Sequence, residues 1–290
     1  MNHPLPIQPA APKAAGDATI GALLQEAGKL TPESTDSVLR MQEETGIRFG
    51  EAAKALGLVS DADVQQVLAR QFDFPFVPVG EQLFSSRLVA AYEPFGRPAE
   101  MLRAVRAQLM LRWFGRGQKS LAIAGVEPQA GASLFAANLA VVFSQLGQNT
   151  LLVDANLRQP AQQGIFQLQG KAGLSDMLAG RATMQAVTRI EAFESLAVLG
   201  AGATPPNPAE LLARKAFTGL NAQLEALHDV VLYDTSDLLT AHDALPVMAR
   251  ARGVLLVVHK NHSSLYDVAA LTEQVRHAGA EVVGSVLLEF

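Results

Sequence analysis

The chain has 290 residues, of which 49% are hydrophobic and 18% charged, so it can bury one large core or two unequal ones and is not a disordered polymer. The net charge of −5 argues against a general nucleic-acid-binding surface, and we expect no nucleic-acid partner. The absence of cysteine excludes disulfides, thiolate metal sites and cysteine nucleophiles.

The first residues of the chain, 1–18, are rich in proline and alanine and are predicted to form a disordered tail. They lack the basic start and the apolar stretch of a secretory signal. The longest charge-free stretch, 128–153, is interrupted by polar residues and a Gly-Gln-Asn turn, which favours a buried helix and strand over a membrane span. We therefore expect a soluble, cytoplasmic chain.

Residues 19–72 are predicted to form a small helical domain built from two repeats. A shift of 29 residues pairs Gly28 with Gly57 and the start signal at Thr31 with that at Ser60. In each repeat a glycine ends one helix and a hydroxyl side chain caps the next. Few of the paired positions are identical, so the repeat by itself is a weak signal.

The stretch 73–99 contains four prolines and is predicted to be a surface linker. A helix follows from Glu100 to about Phe114, with apolar residues at helical spacing. Glu100, Arg103 and Arg106 share one face of this helix, and by themselves they are equally typical of a solvated surface.

From residue 120 onward the pattern changes to apolar runs separated by helical stretches. Because each run is continuous rather than alternating, we predict a mostly parallel sheet flanked by helices, an α/β fold that occupies 100–290. Such sheets bind ligands at the carboxyl ends of their strands. The predicted strands are Leu121–Ala124, Leu151–Val153, Leu196–Leu199, Val230–Tyr233, Val254–Val258 and Val282–Leu288.

A glycine-containing turn joins the first predicted strand to a helix, where a phosphate-binding loop lies in nucleotide-binding proteins. Backbone N–H groups at a helix start bind anions without a particular side chain. The usual loop has Gly-Lys-Ser/Thr, whereas alanine replaces the lysine here, so an ordinary turn is the alternative. The candidate nucleotide-binding residues are Pro128, Gln129, Ala130, Gly131, Ala132, Ser133 and Leu134.

Two of the apolar strands end in aspartate, at Asp154 and Asp234. A carboxylate at the exit of a buried strand is costly unless it meets a cation or a metal. Together with the hydroxyl of Ser133, the two aspartates form the layout of a Mg²⁺-nucleotide site. We therefore predict that Ser133, Asp154 and Asp234 hold magnesium.

The stretch from about Leu88 to Phe290 resembles the bacterial P-loop tyrosine kinases of exopolysaccharide chain-length control and export. The resemblance implies ATP and Mg²⁺ as ligands and assigns catalytic positions to Asp154 and Asn156. The family's Glu-x-x-Arg-x-x-Arg helix builds subunit contacts, which implies that Glu100, Arg103 and Arg106 mediate self-association. The matching segments are Glu100–Arg106, Ala136–Ala140, Leu151–Arg158, Gly173–Ser175, Pro205–Leu212 and Val231–Thr235.

The sequence also departs from that family pattern. Ala132 replaces the phosphate-binding lysine, Asn156 replaces the second acid of Asp-x-Asp, and no tyrosine-rich tail is matched. Arg158, in the same motif, is either a phosphate or partner contact or a surface residue. The predicted function is a kinase-like regulator of exopolysaccharide polymerisation or export with weak or absent phosphoryl transfer. The alternative is an active ATP-dependent tyrosine autokinase that uses a replacement cation.

Residues 19–71 resemble the small N-terminal domain of type II secretion and pilus assembly ATPases, some of which bind cyclic di-GMP. In that pattern each repeat opens with arginine, and Arg48 fits whereas Thr19 does not. We therefore expect at most weak cyclic di-GMP binding. The two resemblances together imply a membrane polysaccharide co-polymerase or export protein as a partner, and a location at the inner membrane through that partner.

Overall fold

This computed structural model describes residues 20–72, 74–78, 80–128 and 130–289. The predicted tail 1–18 and Thr19 lie outside the described residues. The chain divides into two compact units, and the division falls between Phe74 and Pro75.

The first unit contains four helices that follow the two predicted repeats. They are α1 (Ile20–Glu26), α2 (Pro32–Thr45), α3 (Phe49–Ala55) and α4 (Asp61–Gln71). Thr31 and Ser60 cap α2 and α4 through capping boxes, as the start signals predicted. Gly28 and Gly57 both have positive φ, near 67° and 68°, which explains why glycine recurs at this place in the repeat.

The two repeats also pack in a reciprocal way. A Cβ atom on Gly21 would lie 3.0 Å from the ring of Phe49, and one on Gly50 would lie 3.7 Å from Ile20. Phe49 and Gly50 are the repeat counterparts of Ile20 and Gly21, so each repeat presents its glycine to its partner's apolar residue. This symmetry explains why the glycines recur: a larger side chain at Gly21 would displace the helix against which it packs.

The second unit is built on a seven-stranded sheet in the order β3-β4-β2-β5-β1-β6-β7. All neighbouring strands are parallel except β3, which is antiparallel to β4. The predicted mostly parallel α/β fold is thus confirmed. The strands are β1 (Ser120–Gly125), β2 (Thr150–Asp154), β3 (Thr188–Arg189), β4 (Leu196–Leu199), β5 (Val230–Asp234), β6 (Gly253–His259) and β7 (Glu281–Leu288).

Helices cover both faces of this sheet, as continuous apolar strands require. Leu121 and Ile123 of β1 belong to the core on one face of the sheet, whereas Ala122 and Ala124 belong to the core on the other face. The helices are α5 (Val89–Tyr92), α6 (Arg97–Arg112), α7 (Ala132–Gln145), α8 (Gln162–Ile165), α9 (Leu174–Leu178), α10 (Pro208–Ala213), α11 (Lys215–Leu227), α12 (Ala244–Ala251) and α13 (Leu265–His277).

Two further features concern the helices. The stretch 208–227 forms two helices, α10 and α11, separated at Arg214, whose backbone is extended. Within the described ranges, none of the helices combines the length and the apolar composition that crossing a membrane requires.

The described part of the predicted linker 73–99 is not a surface linker, because from Pro75 onward it belongs to the second unit. Val77, Leu88, Ala90 and Ala91 are fully buried and join the core around α7. The N–H of Val77 donates to the carbonyl of Ala91 at 2.8 Å, which folds the segment back on itself. The prolines prevent a long helix here, but the apolar side chains between them still pack on the sheet layer.

Candidate functional site

The loop between β1 and α7 lies at the carboxyl end of β1, which is hydrogen-bonded to β5 on one side and β6 on the other. Gly131 has φ of 75°, a left-handed conformation that favours glycine, and α7 begins at the next residue. The first N–H groups of a helix have no partner within it, so this helix start offers anion-binding donors. Gln129 lies outside the described residues.

Asp154 and Asp234 end two neighbouring strands and face each other in the register of β2 and β5. Both side chains are fully buried. Asp154 accepts backbone hydrogen bonds from the N–H groups of Asn156 at 3.2 Å and of Ala161 and Gln162 at 2.9 Å. The chain after β2 therefore wraps around this carboxylate and fixes its position.

Asp234 accepts hydrogen bonds from side chains only. The hydroxyl of Ser133 donates to Oδ1 at 3.0 Å, and the amide of Gln162 donates to Oδ2 at 2.7 Å. The same amide donates to the carbonyl of Ser133 at 2.9 Å. Gln162 thus links the loop, β5 and the segment after β2. The sequence did not indicate this role, because this glutamine does not directly follow a predicted strand.

The two buried carboxyl groups fit a divalent cation. Burial raises the pKa of both, and the neighbouring Asp154 raises the pKa of Asp234 further. The described residues contain no cluster of three or more His, Cys, Asp or Glu side chains that could hold a metal. Magnesium does not need such a cage, because it keeps several waters and binds through one or two carboxylates and substrate phosphates. Ser133, Asp154 and Asp234 would hold it here.

A cavity of about 740 Å³ opens beside the loop, within the usual size of a small-molecule site. Its walls come from the loop and the start of α7, from the segments after β2 and β5, from the end of β6, and from the segment that precedes α5. The described lining residues are Ser85, Arg87, Gly125, Glu127, Pro128, Ala130, Gly131, Ala132, Ser133, Leu134, Asn156, Gln159, Ala161, Ile165, Thr235, Asp237 and His259.

The predicted residues after β2 take different positions. Asn156 lines the cavity, and its side-chain oxygen accepts the N–H of Gln159 at 3.1 Å. Arg158 is not among the lining residues and forms a two-pronged ion pair with Asp243. The ion pair therefore holds the segment after β2 close to Asp243, the residue that precedes α12.

Ten of the described lining residues were not predicted as part of the site, among them Ser85, Arg87, Asp237 and His259. His259 is the last residue of β6, and Asp237 lies three residues beyond Asp234. Ser85 and Arg87 come from the segment interpreted as a linker, so no local signal could place them at this cavity. Their position depends on contacts with distant parts of the chain.

The predicted subunit-contact residues of α6 bond mainly within the chain. The guanidinium of Arg103 donates to the carbonyl of Pro94 and to Glu100, and that of Arg106 donates to the carbonyl of Val142 in α7. Both arginines are half-buried, whereas Glu100 is exposed. These arginines fasten α6 to its own fold, and a role in subunit contacts stays a prediction.

Comparison with known proteins gives clear relatives of this chain. The chain is 32% identical over 200 residues to the tyrosine-protein kinase YwqD of Bacillus subtilis, covering 69% of this chain and 84% of that one. The crystal structure of the chimeric protein CapA2B2 superimposes with a TM-score of 0.66 at 32% identity, over 77% of this chain and 97% of that one.

A second solved structure, the kinase domain of the Escherichia coli tyrosine kinase ETK, gives a TM-score of 0.67 at 26% identity. It covers 74% of this chain and 89% of that one. No protein-family model matches the chain.

Proposed function

Because the chain belongs to the bacterial P-loop tyrosine kinases of the exopolysaccharide family, we propose that it is a nucleotide-binding regulator of exopolysaccharide polymerisation or export whose phosphoryl transfer is weak or absent. The observation that carries this proposal is the composition of the loop. Ser133 is bonded to Asp234 at the metal position, while the neighbouring Ala132 carries only a methyl group where a lysine belongs.

Nucleotide binding is supported by the groups that remain. Amide donors at the start of α7 suit phosphate oxygens, and the cavity can hold a mononucleotide. Bound Mg²⁺ would neutralise phosphate charge at Ser133, Asp154 and Asp234. These residues are already oriented, since Asp154 is held by three backbone N–H groups and Asp234 by Ser133 and Gln162.

Weak transfer is supported by two losses. Without a lysine, the loop has no side-chain charge to stabilise the transferring phosphoryl group. Asn156 lines the cavity where the family has a carboxylate, and an amide cannot take the proton of an attacking hydroxyl. The two losses act on different parts of the reaction, so restoring one group does not repair the other loss.

Acceptor tyrosines are scarce as well. Tyr233 is fully buried, and the hydroxyl of Tyr92 bonds to the backbone of Phe84, whereas Tyr266 is 82% exposed. Tyr266 is therefore the accessible acceptor among the three tyrosines of the sequence.

The alternative function is an active autokinase that uses a replacement cation. Arg87, a lining residue of the cavity, favours this alternative in part because it brings a guanidinium group to the loop. Arg87 cannot replace the carboxylate that the family has at the position of Asn156. For that reason we prefer the regulatory function.

The test combines titration of ATP in the presence of Mg²⁺ with an autophosphorylation assay on the same preparation. We expect wild type to bind ATP and to transfer phosphate slowly or not at all, and Asp154→Ala to weaken Mg²⁺-dependent binding. Rapid phosphorylation by wild type that is abolished in Asp154→Ala would show an active kinase. Failure of wild type to bind ATP would remove the nucleotide-binding role.

Self-association and a membrane export partner complete the proposal, with the chain held at the inner membrane through that partner. Glu100 is exposed on α6 and available to a neighbouring copy. Sedimentation of wild type and Glu100→Ala tests this contact, and we expect a smaller assembly for the variant. An unchanged assembly size would mean that α6 does not contribute through this residue.

A further inference from the structure

The loop lacks its lysine, but the cavity beside it does not lack a cation. Arg87 is the single lysine or arginine among the described residues that line this cavity, and its side chain is exposed. Within 20–72, 74–78, 80–128 and 130–289, its guanidinium group forms no hydrogen bond or ion pair, so its five donors are available to a ligand.

The backbone around Arg87 is fixed to the elements that build the site. Its carbonyl accepts a hydrogen bond from the side-chain amide of Asn138 in α7 at 3.3 Å, and the oxygen of that amide accepts the N–H of Ala90 at 2.8 Å. The N–H of Ser85 donates to the carbonyl of Ile165 at 2.8 Å. Arg87 therefore extends from a segment that is bonded to the helix of the phosphate loop itself.

Two other cations of the second unit, Lys119 and Arg158, are already bonded elsewhere. The ammonium group of Lys119, which precedes β1 at the opposite end from the loop, donates to the carbonyls of Glu225 and His228 at 2.7 and 3.0 Å. Arg158 is paired with Asp243. Both basic side chains are thus already bonded within the protein.

We propose that Arg87 contacts the β- and γ-phosphates of the bound nucleotide in place of the missing loop lysine. This inference rests on the proposed nucleotide-binding function. A guanidinium group suits the task because it stays charged at every accessible pH and presents parallel N–H donors to phosphate oxygens. The cation arrives from the segment before α5 instead of from the loop, which explains how the loop can carry Ala132 and still serve a polyphosphate.

The experiment is calorimetric titration of the full chain with ATP and with AMP in the presence of Mg²⁺. Arg87→Gln should weaken ATP binding at least about tenfold, since a charged hydrogen bond is worth ~1.5–3 kcal/mol and each 1.4 kcal/mol is tenfold. AMP, which lacks the β- and γ-phosphates, should bind both proteins equally. Arg87→Lys should lose less ATP affinity than Arg87→Gln. Adding Ala132→Lys to the Arg87→Gln variant should restore ATP affinity.

Arg112→Gln is the matched control, because Arg112 is exposed at the end of α6 and does not line the cavity. It should leave both affinities unchanged. Equal ATP affinity in wild type and Arg87→Gln would overturn this inference while leaving the proposed function intact. An equal loss of ATP and AMP affinity would overturn it too, since that result indicates general damage to the site. Failure of wild type to bind ATP would overturn both.

Discussion

The buried pair of aspartates predicts an unusual dependence of stability on pH and magnesium. In the folded chain Asp154 and Asp234 lie side by side, and the groups bonded to them are amides and a hydroxyl. Burial raises the pKa of both carboxyl groups, and the charge of Asp154 raises the pKa of Asp234 further. When the pKa of a carboxyl group is higher in the folded than in the unfolded chain, the folded chain loses stability as the pH rises from the unfolded pKa to the folded pKa.

Asp234→Asn is the change that tests this reasoning. Asparagine keeps the shape, and its partners can adapt, because the hydroxyl of Ser133 can accept as well as donate. The side-chain oxygen of Gln162 is buried and has no partner among the described residues, so a rotated amide can meet the new N–H group. Asp154 is a poorer target because its three backbone donors cannot rotate.

The expected gain follows from the cost of the buried charge. Replacing a buried charge by a neutral group of the same shape removes a desolvation cost on the order of a few kcal/mol, and weakening a charged hydrogen bond subtracts about 1 kcal/mol. We therefore expect Asp234→Asn to be more stable than wild type by about 1–2 kcal/mol near pH 8 without magnesium, or roughly 3–6 °C in melting temperature. Near pH 5 the difference in stability between the variant and wild type should be smaller. At that pH the pair of Asp154 and Asp234 in wild type holds a proton and therefore carries less buried charge.

Fluorescence of Trp113, the single tryptophan, follows this unfolding because its indole is buried in the second unit. Saturating Mg²⁺ should stabilise wild type near pH 8 and stabilise Asp234→Asn less, since a ligand stabilises the state that binds it. Asp229→Asn, an exposed change just before the same strand, is the control and should show neither effect. A wild type that becomes more stable between about pH 5 and pH 8, with a variant less stable at both, would refute the reasoning.

Three other predictions concern separate parts of the chain. Ala132→Lys should raise ATP affinity without restoring phosphorylation, because phosphorylation should also need Asn156→Asp. Robust phosphorylation by the single variant in an autophosphorylation assay would contradict this prediction. Gly253→Ala should destabilise the second unit by roughly 2 kcal/mol or more, because the added Cβ would lie 2.3 Å from the ring of Trp113; an unchanged melting temperature would show that the ring can move. Calorimetry of the full chain should give weak or no cyclic di-GMP binding by the helical repeats, and submicromolar affinity would overturn that expectation.

The sequence predicts the sheet well because its signal is local. Each central strand is a continuous apolar run, and burial on both faces requires such a run wherever the strand lies. The two-residue strand β3 leaves no comparable signal, and it pairs with β4 only after the chain has folded back. Proline content misled the interpretation of the segment after Phe74, because proline excludes a regular helix but not burial, as Val77 and Leu88 show.

The same distinction between local signals and long-range contacts applies to the residues of the candidate site. Ser133 and the two aspartates could be predicted because parallel topology brings strand ends to one edge, so sequence position fixes spatial position. Gln162 and Arg87 could not, because side chains from elsewhere decide where they lie: Gln162 reaches Asp234, and Asn138 holds the backbone of Arg87. A loop motif can therefore lose its charged residue without the site losing its charge. Judging whether a degenerate loop is inactive requires knowing which distant segments line its cavity.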